Sequence, residues 1–488
     1  MSESKEVKKG GALRSVVWTS LAKGVSQALT LITTIILARI LSANDFGLMA
    51  MAIVYMGLVD NIIDFGFLSA IIQRKAIDKD LLSSCFWFLA VMAVLLWSIT
   101  FIASPVIAGF FEEEQLISII GALSVVFLAV PSQILSRGIL ARELQLDLIA
   151  KVELFTSIVR FSTAILLALE NYGVWSLVYA YMVEKLMLAI LLPVLARWYP
   201  SFTYDFRKVK PLLVFGTKIT GSRILWYIYN RIDFIIIGRL LGAEVLGVYS
   251  IANQFAKSIL QFATIAFYRV IFPLYTRLQD DTLQLKKMFL RTSVLLLTLT
   301  MPLFLGMAAV AEYMIPVVLG DGWENAIIAL QVLSVVAAMQ AVLGLGPQLI
   351  NAVGKPGVNI YLNLFNVIIM SAGFYIGAKL SGVNGVLVAW LIIVPVQYLL
   401  VMNLISRIIE LPVIEYVRHH YRSVITGVMM FLFVTLMDDF YSEWSNINKL
   451  VVSIGLGAGF YILIQFLICR EIFNELKGMV YRLVKGEA

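Results

Sequence analysis

Apolar runs of about twenty residues recur along the whole chain, separated by short polar stretches. Each is long enough to cross a bilayer core of roughly 30 Å as a helix. The runs fall at 14–37, 46–72, 83–104, 115–136, 148–169, 173–196, 212–238, 245–275, 288–311, 326–350, 357–378, 383–406, 421–438 and 449–469. This pattern predicts an all-α polytopic membrane protein with about fourteen spans; the count falls to twelve if the last two runs are interfacial. Arg470–Leu483 then places Ile472, Phe473, Leu476, Met479, Val480 and Leu483 on one face, as an amphipathic helix lying on the inner leaflet would.

The runs also repeat. Ile35–Ala52 aligns without a gap on Ile235–Ala252, with identities at Ile35/Ile235, Ile36/Ile236, Arg39/Arg239, Leu41/Leu241, Ala43/Ala243, Gly47/Gly247 and Ala52/Ala252. Ser104-Pro105-Val106 corresponds to Ile315-Pro316-Val317, and Asn171–Val174 to Val383–Val386. Each half holds six runs, so the expected organisation is one lobe over 1–205, a second over 206–412, and two further spans with a basic tail over 413–488. Six is even, so both halves enter from the same side and are related by a pseudo-two-fold axis along the membrane normal. Transporters that move two halves around a central site are built in this way.

Charge orients the map. One side receives Lys5, Lys8, Lys9, Arg14, Arg74, Lys75, Lys79, Arg137, Arg142, Lys151, Arg197, Arg207, Lys208, Lys210, Arg277, Lys286, Lys287, Arg291, Lys355, Arg407, Arg418, Arg422, Arg470, Lys477, Arg482 and Lys485. The other receives only Arg39, Arg239, Lys379 and Lys449, with the acidic Glu112–Glu114. Positive loops face the cytoplasm, so both termini are expected there, and the first helix is expected to be retained rather than cleaved as a signal peptide. The composition agrees: 60% of the 488 residues are hydrophobic and 14% charged, with a mean hydropathy of +0.90. In such a chain a pI near 9.1 reflects basic loops at a membrane face rather than a nucleic-acid surface. Cys85 and Cys469 lie in separate apolar segments, which argues against a disulfide or a metal site.

A charge at the bilayer centre costs about 2.5–3.5 kcal/mol on insertion scales, so it needs a partner, water or a function. Such charges gather in spans 1, 2 and 5–8. Under the 200-residue offset Lys23 falls on Arg223, in the middle of the first helix of each half. Two symmetry-related cations on one axis suit an anionic head group such as a pyrophosphate, with the Arg able to grip it through two N–H groups. Arg231, Lys257 and Arg269 extend this candidate cationic cavity. Asp60, Asp64 and Asp233 are candidates for charge balance or for binding a coupling proton or sodium ion. Asp60 and Asp64, one turn apart, could equally serve to neutralise basic residues on neighbouring helices. Arg39 and Arg239 read as gate anchors at the outer helix ends, and Glu184-Lys185 as a pair that snorkels to the cytoplasmic face. Pro131, Pro273, Pro302, Pro347 and Pro395 lie within spans. No phosphate loop, metal-ligand spacing or nucleophile–base arrangement is present, so no catalytic residue, metal or cofactor is expected.

The stretch Leu37–Lys75 (LARILSANDFGLMAMAIVYMGLVDNIIDFGFLSAIIQRK), with Ser104–Phe111, Asn171–Val178 and Asn230–Ala252, resembles the Wzx-type polysaccharide exporters. The resemblance is strongest to their colanic-acid and teichuronic-acid branch, within the superfamily of MATE antiporters and MurJ flippases. It implies two six-helix lobes around a cavity lined by helices 1, 2, 7 and 8. It further implies translocation of an undecaprenyl-pyrophosphate-linked oligosaccharide across the bacterial inner membrane, beside polymerase and assembly proteins. A drug/cation antiporter is the nearest alternative, and a polytopic polymerase or ligase a more distant one. The cations of helices 1, 7 and 8 and the short external loops weigh against both.

Overall fold

The computed structural model describes the backbone of residues 9–74, 77–441 and 443–468; within these, the side chains of residues 9–23, 218, 219, 266 and 269 are not described. The expected amphipathic segment 470–483 lies outside the described residues. Every regular element described is helical. Two compact units divide the chain between Gly247 and Val248.

The first unit begins with α1 (Lys9–Ala38), α2 (Ala43–Ile63), the short α3 (Phe67–Gln73) and α4 (Lys79–Phe111). It continues with α5 (Gln115–Ser124), α6 (Val130–Arg142), α7 (Leu146–Leu169), α8 (Val174–Ala196) and the first part of α9 (Phe206–Arg277). Ser42 caps α2 in a reciprocal box with Asp45: the Asp45 N–H donates to Ser42 Oγ, and the Ser42 N–H donates to Asp45 Oδ2 at 2.9 Å. Asp78 caps α4 by accepting the Leu81 N–H at 2.9 Å. α2 and α3 form one span broken at Phe65 and Gly66, both at positive φ; α5 and α6 form another, joined by a 3-10 turn at Val125–Ala129. α7 packs on α1 and α8, and α6 on α3 and α8. At one end Phe67, Ile71, Leu81, Cys85, Leu135, Trp198 and Val209 make a dry cluster.

The second unit takes the rest of α9, then α10 (Thr282–Leu319), α11 (Ala326–Leu343), α12 (Leu345–Ala352), α13 (Pro356–Ile409), α14 (Val413–Met437) and α15 (Asn446–Ile468). α10 is its centre, packing on α11, α14 and α15. A seam of buried hydroxyls joins the C-terminal pair to it. His420 Nε2 lies 2.9 Å from Ser293 Oγ, Thr298 Oγ1 lies 2.8 Å from Ser423 Oγ, and Tyr461 OH donates to the Thr298 carbonyl at 2.7 Å. Between apolar helices in lipid, such bonds and close packing replace the hydrophobic drive.

Eleven described helices are long and apolar enough to cross a membrane. Two of these, α9 and α13, are each two helices joined across a kink, and α1 contributes an apolar segment at Gly24–Ala38. The fourteen runs read from the sequence are thereby accounted for. The kinks fall at Gly242 and at Ser381–Gly382, not at the in-span prolines. Gly242 aligns with Ser42, so a break falls at the same alignment position in each half, extended at Ser42 and at positive φ at Gly242. Gly173 (φ 53°, ψ −134°) and Gly382 (φ 59°, ψ −139°) share one backbone conformation that an L side chain resists. Gly385, aligned with Gly173 in the sequence, packs against the Gly377 backbone within α13.

Candidate functional site

The intramembrane charges of the first unit are joined in series. Arg137 on α6 pairs with Glu153 on α7 at 2.9 Å, and Arg160 on α7 with Glu184 on α8 at 3.0 Å. Lys185 on α8 lies 3.8 Å from Asp60 on α2, and Asp64, one turn further along, pairs with Arg223 on α9. Four ion pairs thus link five helices. In a low-dielectric interior each charge needs such a partner.

The Asp64–Arg223 pair is the most fully built. Asp64 Oδ1 accepts the Leu68 N–H at 3.3 Å at the start of α3, and its Oδ2 accepts from Arg223 Nη1. Arg223 Nη2 donates to Ser69 Oγ at 3.0 Å. The break at Phe65–Gly66 makes this possible, because it frees the Leu68 N–H and brings Ser69 round to the guanidinium. Gly66 and Gly216 supply the room: a Cβ on Gly66 would lie 2.6 Å from Gly216 Cα. Higher on the same pair of helices Tyr227 OH donates to the Ile53 and Val54 carbonyls at 3.1 and 2.9 Å, and Gly57 lets the phenol in. Tyr227 lies within electrostatic reach of Arg231, Asp60 and Tyr181. The Arg223 side chain keeps 35% exposure against 14% for Asp64, so the cation is the accessible partner.

Asp60, Asp64 and Arg223 are therefore brought together as the sequence suggested, with Arg231 close by and its guanidinium 5.1 Å from the Phe234 ring. Asp233 is buried and accepts the Phe234 N–H at 3.0 Å. Lys257 belongs to the second unit, in a small pocket with Asn253, Gln340 and Trp390; the Trp390 indole donates to Tyr249 OH at 2.9 Å. The side chains of Lys23 and Arg269 lie outside the described residues. Glu184 and Lys185, read as snorkelling, are instead turned toward Arg160 and Asp60. That inward turn, with Ser69, Tyr181 and Tyr227, was missed. Only the series of partners across helices reveals it, and periodicity within one helix carries no such signal.

At the far end of α2 the repeat itself forms a contact. A Cβ on Gly47 would meet the Ala243 carbonyl, and a Cβ on Gly247 the Ala43 carbonyl and the Gly47 nitrogen. Residue 47 thus meets 243 and residue 247 meets 43, a crosswise pairing of two aligned positions. Arg239 is held beside this crossing by Glu112 Oε1 at 2.5 Å and over the Phe110 ring at 5.7 Å, and Glu113 Oε1 accepts the Ala243 N–H at 3.3 Å. Arg39 is exposed at the end of α1.

A family model described as "Polysaccharide biosynthesis protein" matches residues 36–328, more than half of the chain, including the Asp60–Lys185 and Asp64–Arg223 pairs. The chain belongs to this family. Among its polysaccharide-biosynthesis relatives, the teichuronic acid biosynthesis protein TuaB of Bacillus subtilis (strain 168) is 26% identical over 412 residues, covering 82% of this chain and 84% of that one. The lipopolysaccharide biosynthesis protein WzxC of Escherichia coli (strain K12) is 26% identical over 389 residues, 77% of each chain. Among solved structures, the lipid II flippase MurJ in an inward closed conformation superposes with a TM-score of 0.76 at 13% identity, covering 93% of this chain and 99% of that one. The Wzx-type resemblance and the MurJ-like helical fold are thus both present in this polysaccharide biosynthesis protein. It is a multi-pass membrane protein.

Proposed function

We propose that the protein is a flippase that carries an undecaprenyl-pyrophosphate-linked oligosaccharide from the cytoplasmic to the periplasmic leaflet by alternating access, for surface polysaccharide synthesis. The observation that carries this reading is Arg223, a mid-helix guanidinium anchored by Asp64 and Ser69 yet still partly open. A fixed planar fork of donors in a low-dielectric setting is suited to a phosphate group. The relatives' names place them in polysaccharide assembly, and the likeness to MurJ supplies a fold that a lipid flippase uses.

In this reading Arg223 and its repeat mate Lys23 take the diphosphate, and Arg231, Lys257 and Arg269 share that role. Asp60 and Asp64 hold cations in the absence of substrate, which leaves Asp233 as the candidate for proton or sodium coupling. Arg39 and Arg239 brace the outer gate. Both termini lie in the cytoplasm, the membrane is the bacterial inner membrane, and the lobes are 1–205 and 206–412 with 413–488 appended. Polymerase and assembly proteins would receive the product. A drug antiporter is the second reading; Asp60 and Asp64 each already face a cation of the protein, which weighs against it. The test is a reconstituted assay of polyprenyl-linked glycan crossing the bilayer: movement that Arg223→Ala abolishes is expected. Failure of the native protein to move any polyprenyl-linked glycan would overturn the proposal.

A further inference from the structure

Lys185 differs from the other intramembrane cations of its unit. Arg137 and Arg160 lie 2.9 and 3.0 Å from their carboxylates, and Arg223 is in hydrogen-bonding contact with Asp64 and Ser69. Lys185 Nζ is 3.8 Å from Asp60 Oδ2, beyond hydrogen-bond range. Tyr181 is beside it, with the ring centroid 5.3 Å away and the hydroxyl within reach, and Glu184 and Arg137 act on it from further off. An ammonium has three N–H donors and no acceptor, and here an oxygen anion could use them without breaking a tight pair. The Lys185 side chain retains 27% exposure along its length, while its ammonium end is turned in among Asp60 and Tyr181.

Position gives this cation a purpose. Asp60 and Asp64 are four residues apart on α2, so their side chains stand about 5–6 Å apart on one face. Each holds a cation from a different helix, Lys185 from α8 and Arg223 from α9. Two cations held on carboxylates one helical turn apart can face two phosphoryl groups sharing one bridging oxygen. They do not match a single phosphate, which one of them would satisfy.

We infer that Lys185 is the residue that distinguishes a diphosphate from a monophosphate head group, with Asp60 holding it until the second phosphoryl group arrives. This rests on the proposed function, in which Arg223 and Lys23 receive the head group, and adds Lys185 as the contact that only a second phosphoryl group reaches. No bond is made or broken; the second phosphoryl group replaces Asp60 as the counter-charge.

The test is binding of radiolabelled farnesyl diphosphate and farnesyl monophosphate to the purified full-length protein in detergent. The native protein should bind the diphosphate at least tenfold more tightly than the monophosphate. K185Q alone would strand Asp60 in the membrane, so the informative variant is the neutral pair D60N/K185Q, checked for folding by size exclusion. That variant should lose the preference, with the ratio falling to within twofold while monophosphate affinity changes less than twofold. K185R should keep the preference, and D60N, which frees Lys185, should keep or increase it. R223Q should weaken both ligands. A native ratio near one, or a D60N/K185Q ratio like the native one, overturns the inference and leaves Arg223 as the phosphate site. Binding of neither ligand, or no effect of R223Q on either, would instead overturn the head-group reading itself.

Discussion

The crosswise glycine contact makes a quantitative prediction. A methyl group at Gly47 would lie 2.9 Å from Ala243 Cα and closer still to its carbonyl; one at Gly247 would lie 2.7 Å from the Ala43 carbonyl carbon and 3.0 Å from the Gly47 nitrogen. Backbone cannot swing aside as a flexible side chain does, so α2 and the second limb of α9 must separate. Overpacking of this kind costs about 1–3 kcal/mol. If the contact exists in only one of the two transport states, that cost shifts the balance toward the other by roughly 5- to 150-fold. Ala243, 2% exposed, is a suitable reporter, because A243C is nearly isosteric. In a background with Cys85 and Cys469 replaced by Ala, an impermeant thiol reagent added from outside should label A243C slowly. It should label faster by about that factor when G47A or G247A is added, and transport should slow. Labelling within twofold of the parent in both glycine variants would refute the idea that this crossing is a gate.

Other consequences are simpler to measure. Breaking a buried ion pair by removing one partner typically costs about 3–5 kcal/mol. Arg223→Ala should fall below that range because Arg223 is 35% exposed, and D64N/R223Q should recover much of the loss in unfolding experiments without recovering export. Outside the membrane, Lys208 donates to Asp78 at 2.7 Å and, with the Leu81 N–H, holds the Asp78 carboxyl below the usual carboxylate range. A depressed folded-state pKa gives stability that is present above the unfolded value and lost as pH falls through the folded one. The acid limb of a thermal-stability profile should therefore shift between native protein and D78N, more at low salt than at high, and coincident profiles would contradict the assignment. Tyr461→Phe removes the bond to the Thr298 carbonyl and should cost about 0.5–1.5 kcal/mol; an unchanged melting temperature would show that the seam does not hold the C-terminal pair.

Much of the fold was legible because lipid imposes a simple rule: a spanning helix must be long, apolar and internally hydrogen-bonded. The fourteen runs follow from that rule, and the repeat marks Gly47 and Gly247 as an identical pair without showing that they cross. The site was legible only in part. Arg223, Asp60 and Asp64 stand out as charges in apolar runs, but which neighbour each one faces depends on helix packing, which the chain does not spell out locally. Lys185 was misread for that reason. Eleven residues from the end of α8, it has a stem long enough to snorkel, and only the approach of α2 gives it Asp60.

The central claim is that Lys23 and Arg223 carry a polyprenyl-diphosphate head group across the membrane. Its most direct test is transbilayer movement of a fluorescent polyprenyl-diphosphate oligosaccharide in proteoliposomes, read with an impermeant quencher. The native protein should move the lipid, and K23A/R223A, inserted and folded to the same extent, should not. Movement at the native rate by K23A/R223A would contradict the account.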